Sequence, residues 1–373
     1  MAQNIYKFIS FFLITISPCI STLVPLLHAE DSKQLVIGGL IHLTGEAAEQ
    51  GVAFQKGIEL AAAQINKGSG VNGRPIKIIF EDTQYKPTQA LTGARKLNEV
   101  DHVDAILIST VTEAKSAGPY LQKARIPSIV LWDSSPEIEK LGHYIFGIGP
   151  WAPASGESAA DFVATKFGAK KVVVIDTNTE WSQYVSQYFQ RRFSSQGGKI
   201  LNVFSANPDE VNFRTIIQRA LALKPDVIYA PVDLNVVTFF EQYKQSNSNI
   251  PIISSDVIVD NYIIEAPGAF EGVYHTMTGV NDSAEFKEMA ALYKAYFNEE
   301  ILQPQFVSWA YDAVMLIAKA AEKGGLLKNT IQFGILSTKN YLGTSGIITM
   351  TEKGSAPREV RVFKVINGKF VKE

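Results

Sequence analysis

Polar and aromatic side chains follow a series of short apolar runs in this 373-residue chain, and these are the residues that could do chemistry. Ser109, Thr110 and Thr112 follow the run Ala105–Ile108, and Trp132, Asp133 and Ser134 follow Ser128–Leu131. Trp181 lies just beyond Val172–Ile175, Asp233 beyond Val227–Ala230, and Asp256 at the end of Ile250–Ser254. Ser109, Thr110 and Thr112 precede a helical pattern. A helix start supplies free N–H groups and the positive end of a dipole, which suits a carboxylate. Each stretch also has a structural explanation. Thr112 could cap that helix, and Asp233 could cap the helical pattern Leu234–Gln245. Ser134-x-x-Glu137 has the form of a capping box, with Pro136 inside the first turn. Trp181 could be core or rim, and Asp256 a solvated loop carboxylate.

Catalysis finds little support. No G-x-S-x-G elbow, Walker loop or H-E-x-x-H motif occurs. Gly38-Gly39 and Gly45 lack the dinucleotide G-x-G-x-x-G spacing. His42, His102, His143 and His275 are scattered, with no metal-like pair. Carboxylates abound, but no pair is spaced for acid–base work. The reading is therefore no enzyme, no metal and no cofactor. A formal net charge of -2 gives no footprint for nucleic acid.

The elements that position these residues alternate regularly. Leu35–Leu40 reads as a buried strand, and Phe54, Ile58, Ala61, Ala62 and Ile65 recur at helical spacing. Ile76–Phe80 completes a β-α-β unit whose crossover should be right-handed. Ligands of such sheets bind at the carboxyl ends of the strands, so the Leu43–Gln50 turn is a first place to look. Strands are predicted at Ala105–Ile108, Ser128–Leu131 and Tyr144–Ile148, with helices from Pro87 to about Val100 and from Thr112 to about Ala124. The pattern restarts with strands at Val172–Ile175, Ile200–Phe204, Val227–Ala230, Ile250–Ser254 and Val273–Thr276. Helices near Glu180–Ser195, Phe213–Ala222 and Leu234–Gln245 separate them. Gly147–Pro150, with Trp151 and Pro153, suits a crossing between halves. Helices at Ala284–Phe297 and Gln305–Lys323, then strands at Gly346–Met350 and Val360–Ile366, complete the two halves. The fold class is α/β, with two Rossmann-like lobes whose sheets are mostly parallel.

The first 29 residues read as a signal peptide, with Lys7 as the only charged residue, an apolar stretch from Phe8 to Ile16, and cleavage after Ala29. Pro18 and Pro25 weaken a membrane-spanning helix. The only cysteine, Cys19, lies in this segment, and Pro18 before it argues against a lipid anchor. A chain cleaved after Ala29 has no disulfide, thiolate metal site or cysteine nucleophile.

In order and spacing, the chain resembles the type I periplasmic binding proteins, specifically the Leu/Ile/Val-binding (branched-chain amino acid and amide) receptors of ABC transporters. The resemblance is carried by IGGLIHLTGEAAEQGVAFQKGIELAAAQIN, GVNGRPIKIIFEDTQYKPTQA, RIPSIVLWDSSPEI, KKVVVIDTNTEW, FVSWAYDAV and VRVFKV. His42 stands where the family usually has proline. The resemblance implies two lobes joined by three hinge crossings, near Ile148, Thr278 and Ser355. Lobe 1 would be 30–148 plus 278–355, and lobe 2 would be 149–277 plus 356–373. It implies a carboxylate-binding hydroxyl and N–H among Ser109, Thr110 and Thr112, and contacts to the ligand head from the Trp132 backbone and the Ser134 hydroxyl. It also implies an aromatic contact from Trp181, an ammonium partner in Asp256, and Phe306 reaching the cleft. Asp233 stands where the family tends to place an aromatic. Were Asp133, Asp233 and Asp256 all to face the cleft, three buried carboxylates would demand a cation. That points to an amine-bearing, amide or cationic ligand rather than a plain leucine-like one.

The function implied is a periplasmic solute receptor that captures a small amino-acid-like, amide or amine ligand and delivers it to a membrane permease. Two other functions share these features: a ligand sensor feeding a chemoreceptor or regulatory system, and an exported hydrolase.

Overall fold

The computed structural model describes residues 34–45, 47–278 and 283–373. The expected signal segment with its cleavage site after Ala29, and Cys19, lie outside the described residues.

The first half of the chain runs β1 (Leu35–Ile41), α1 (Ala48–Lys67), β2 (Ile76–Asp82), α2 (Pro87–Glu99), β3 (Ala105–Ile108), α3 (Val111–Ala124), β4 (Ser128–Val130), α4 (Pro136–Glu139) and β5 (Ile145–Gly147). The second runs α5 (Ala152–Lys166), β6 (Lys171–Thr177), α6 (Glu180–Ser195), β7 (Lys199–Ala206), α7 (Arg214–Ala222), β8 (Val227–Tyr229), α8 (Val236–Gln245), β9 (Ile252–Ser254), α9 (Asp260–Glu265), α10 (Pro267–Phe270) and β10 (Tyr274–Thr278). The tail adds α11 (Ala284–Phe297), α12 (Pro304–Gly324), α13 (Lys328–Leu336), β11 (Tyr341–Gly343), β12 (Gly346–Ile348), β13 (Val360–Ile366) and β14 (Lys369–Lys372).

Two sheets with one topology result. The first is parallel, in the order β2-β1-β3-β4-β5. The second carries the equivalent parallel order β7-β6-β8-β9-β10, extended by antiparallel β13 and β14. The order reverses direction between β1 and β3 in one sheet and between β6 and β8 in the other. Just outside the carboxyl ends of such switch strands the flanking loops part, which leaves a crevice. The loops after β1, β3, β6 and β8 carry His42, Ser109–Thr110, Asn178–Thr179 and Pro231–Asp233 respectively.

Helices cover both faces of each sheet, which explains strands that are apolar on both sides. On one face of the first sheet, α1 and α12 pack with Phe54, Ile58, Trp309 and Val314 buried. On the other, α2 and α3 contribute Ala94, Leu97, Ala117 and Leu121. Burying Phe54 and Ile58 alone is worth roughly 1.5–3 kcal/mol each. Gly57 lets the two long helices touch, because a Cβ there would sit 2.4 Å from the Val307 carbonyl oxygen. The second sheet is covered by α5 and α6 on one face (Val163, Phe189, Phe193) and by α7, α8 and α10 on the other (Ile217, Phe239, Phe240, Phe270).

The chain passes from the first sheet to the second after β5, comes back beside the first sheet after β10, where α12 packs against α1 and β11 and β12 pair as a separate two-stranded sheet, and rejoins the second sheet between β12 and β13. The first and last of these passages run side by side. Gly147 bridges Ser355 in parallel fashion, with Gly147 N donating to Gly354 O at 3.0 Å and Ala356 N to Gly147 O at 3.0 Å. Gly149 is wedged there, since a Cβ on it would lie 2.4 Å from the Trp132 carbonyl carbon.

Several elements differ from the sequence reading. Beyond the crossing stretch, a helix that was not predicted, α5, begins at Ala152 with Pro in its first turn. Its small residues, Gly156 foremost, allow close approach to α6 at Val185 and Phe189. The short helices α9, α10 and α13 and the strands β11 and β14 were also not predicted, because their patterns are too short to show a period.

Candidate ligand-binding cleft

The first wall is built at the start of α3. Thr110 is extended (φ -132, ψ 163) and closes a capping box with Glu113. Its hydroxyl accepts from Glu113 N at 3.4 Å, while the Glu113 carboxylate accepts from the Thr110 N–H and hydroxyl, each at 3.0 Å. The cap is therefore Thr110, not Thr112 as the sequence suggested. Thr112 is released and donates its hydroxyl to Glu180 at 3.3 Å. Ser109 is fully buried and donates to the Leu40 carbonyl at 2.9 Å. Burial pushes the Glu113 carboxyl up to about 7, against hydrogen bonds from Thr83 and Thr110.

The second wall follows β4. The Trp132 N–H donates to Ser109 O at 2.9 Å, which fixes the loop onto its neighbour. The Trp132 ring is braced by His42 (stacked, 6.0 Å), Phe306 (edge-on, 4.8 Å) and Phe54 (6.2 Å). His42 is fully buried among aromatic rings, and burial lowers it to about 3, so it is neutral. Asp133 is 2% exposed, and neither of its carboxylate oxygens has a hydrogen-bond partner. Burial first, then the charges of Asp256 and Glu180, raise it well above the usual carboxylate range. The capping box expected at Ser134 does not form. Ser135 holds the N-cap position without a side-chain bond, and Ser134 donates to Gly147 O at 3.2 Å beside the first passage.

The other lobe faces these groups. Trp181 sits in the first turn of α6, whose cap Thr179 accepts from Ser182 N at 3.3 Å. Asp233 does not cap α8, whose N-cap is Asn235 in the left-handed region (φ 53). Asp233 instead accepts the Thr179 hydroxyl, and its own N–H donates to Thr177 Oγ1 at 3.3 Å. Asp256 accepts from Ser155 at 3.4 Å, and Ser155 in turn shares a 2.8 Å bond with Thr276. Burial pushes Asp233 up to about 6 and Asp256 up to about 7. One oxygen of each lacks a partner. The Trp181 indole N–H leans toward Asp256 without closing a hydrogen bond.

These groups meet at one cavity between the lobes. Tyr85, Thr110, Val111, Thr112, Trp132 and Asp133 line it from one side, and Trp181, Asp233 and Leu234 from the other. It holds only about 20 Å³, so the lobes stand closed on it. Contacts at both edges agree. Lys115 pairs with Glu180 and reaches Tyr184 OH at 3.1 Å, and Gln50 donates to Tyr262 OH at 2.9 Å. Of the residues singled out from sequence, Thr110, Thr112, Trp132, Asp133, Trp181 and Asp233 line the cavity, and Asp256 adjoins it through Asp133, Asp233 and Trp181. Ser109, Ser134 and Phe306 do not line it. Ser109 and Ser134 spend their hydroxyls on backbone carbonyls, and Phe306 supports Trp132 from behind.

Tyr85, Val111, Leu234 and Ser155 were missed. Tyr85 follows the carboxyl end of β2, a position the strand-end rule could have flagged. Ser155 lies on the unpredicted α5. A larger hollow of about 610 Å³ opens between α12, α13 and β11, but no buried carboxylate converges on it. Among the described residues, no group of His, Cys, Asp or Glu could hold a metal ion, and no helix is long and apolar enough to cross a membrane.

Residues 34–369 match the family model for periplasmic binding proteins. The chain belongs to this family. It is 25% identical over 296 residues to a Leu/Ile/Val-binding protein homolog of Brucella abortus, covering 78% of this chain and 79% of that one. Its fold superposes on the branched-chain amino acid transporter substrate-binding protein LivJ of Streptococcus pneumoniae, solved with isoleucine. That match has TM-score 0.82 and 24% identity, over 91% of this chain and 100% of the other. A solute-binding protein of Rhodopseudomonas palustris, in complex with 3,4-dihydroxybenzoic acid, matches with TM-score 0.81 and 23% identity, over 91% and 95%. The expected α/β type I architecture and the resemblance to the Leu/Ile/Val receptors are thereby borne out.

Proposed function

We propose that this protein is an exported solute receptor that closes its two lobes on a small amino-acid-like, amide or amine ligand and presents the closed form to an ABC permease. One observation carries the reading. Side chains from both lobes, Asp133 and Trp132 on one and Trp181 and Asp233 on the other, converge on one small pocket. Hinge closure of this kind lets a ligand make its full set of contacts only in the closed state. In this reading 30–148 plus 278–355 form one lobe and 149–277 plus 356–373 the other, and the first 29 residues direct export. The relatives that bind isoleucine and a hydroxybenzoate support a small-molecule ligand. No catalysis is assigned, because the converging groups include no activated nucleophile.

The test is a thermal-shift screen of protein unfolded and refolded to strip carried-over ligand. The panel holds amino acids, amides, amines and small carboxylates. A ligand that binds only the native state raises the melting temperature by mass action. The expected result is a concentration-dependent rise with one chemical class, with no turnover of the bound compound. Steady hydrolysis of an amide or ester would overturn the reading.

A further inference from the structure

Asp133 from one lobe and Asp233 from the other line the cavity, and a third buried carboxylate, Asp256, adjoins it within electrostatic reach of both. Both Asp133 oxygens, and one oxygen each of Asp233 and Asp256, lack a hydrogen-bond partner although they are shielded from solvent. No lysine or arginine lines the cavity among the described residues. The nearby cation, Lys115, is committed at the rim to Glu180 and Tyr184. The remaining walls are aromatic: Trp132, Trp181 and Tyr85. Buried, unpaired carboxylates facing one another are costly unless a cation lies among them. Aromatic faces add to the attraction for an organic cation.

The seat for a ligand carboxylate is compromised in the same site. The start of α3 is the anion-attracting element in this wall, yet both the N–H and the hydroxyl of Thr110 already bond to Glu113. Ser109 has turned its hydroxyl to Leu40 O, and Thr112 has turned its own to Glu180. An α-amino acid brings one ammonium and one carboxylate, for no net charge. It would leave the wall uncompensated and add a fourth carboxylate in a site from which water is excluded.

On the reading that this cleft binds a solute, we propose that the solute is a small organic cation without a carboxylate (an amine, amidine or guanidinium) held between Asp133 of one lobe and Asp233 and Asp256 of the other. Asp133 is then a specificity-determining residue. It attracts the cation and repels any ligand carboxylate.

Matched pairs that differ by one carboxylate test this directly. Calorimetric titrations of the refolded protein would compare 3-methylbutylamine with leucine, 1,5-diaminopentane with lysine, and 4-aminobutylguanidine with arginine. The expected result is that the amine binds at least about tenfold more tightly than its amino acid in one or more pairs, the equivalent of one favourable charge contact. Asp133→Asn should cut that amine affinity by about tenfold or more while leaving the ligand-free melting temperature unchanged or higher, since it removes an unpaired buried charge. An amino acid that binds more tightly than its amine would overturn the proposal and leave the solute-receptor reading intact. So would a benzoate or isoleucine that binds where every amine fails. A folded Asp133→Asn that keeps its amine affinity within about twofold would overturn the role given to Asp133. Absence of binding to every compound in both panels would count against the solute-receptor reading itself.

Discussion

Lowering the pH should close the ligand-free protein. The closed cavity buries Asp133, Asp233 and Asp256 together, with Asp176, Glu113 and the Lys115–Glu180 pair nearby. Opening the lobes would rehydrate the first three, returning them toward ordinary values near 3.8. A carboxyl whose pKa is higher in the closed form favours closure fully below its open-form value, and that advantage is lost as the pH rises through its closed-form value. For Asp256, at about 7 when closed, the penalty on closure falls by roughly 2.5 kcal/mol between about pH 8 and about pH 5. For Asp233, at about 6, it falls by roughly 1.5 kcal/mol over the same range. Asp133 acts in the same direction. The sum, about 4 kcal/mol, shifts the closed-to-open ratio by up to roughly a thousandfold. A protein carrying Lys86→Cys and Asn207→Cys, both exposed and on opposite lobes, would report the change as an inter-label distance. The expected distance distribution shortens steadily from about pH 8 to about pH 5 without ligand. A distribution that stays fixed, or lengthens, would refute the burial argument for these carboxylates.

Three further outcomes follow from named contacts. Asp256→Asn should weaken a cationic ligand by about 1.5–3 kcal/mol, or roughly ten- to hundredfold, as read by calorimetry, because it removes a charged partner in a water-excluded site. Lys115→Ala should cost less than about 1 kcal/mol of ligand affinity, an effect that fades at high salt, because its partner Glu180 lies at the partly exposed rim. Gly149→Ala should lower stability by about 1–3 kcal/mol in urea unfolding, since its Cβ would lie within 2.6 Å of three backbone atoms of residues 131–133.

The alternating architecture was legible because the inner strands β1, β3, β6 and β8 are buried on both faces and the long surface helices mainly on one, so their periods differ plainly. Glu180–Ser195 was read to the residue. The α5 helix was not, because Pro153 and a run of small residues resemble a crossing; only packing against α6 reveals why they are small. The family resemblance, more than the strand-end rule, led to Thr110, Trp132, Asp133, Trp181 and Asp233 at the cavity; the Leu43–Gln50 turn that the rule singled out does not line it. What each side chain does there was not legible. Whether Thr110 or Thr112 caps α3 depends on where Glu113 turns, and whether Asp233 caps α8 depends on Thr179 from another segment. Tyr85 reaches the cavity from a loop whose left-handed backbone (φ 58) leaves no periodic trace.

Closure of the two lobes around a solute bound between them would make the whole protein more compact. Small-angle scattering on refolded protein at about pH 8, where the ligand-free form should be most open, tests it most directly. The comparison is between protein alone and protein saturated with the ligand found by the screen. The expected result is a smaller radius of gyration on saturation, with one ligand bound per chain, and loss of the change in Asp256→Asn at the same ligand concentration. Saturation at one ligand per chain with an unchanged radius would contradict it.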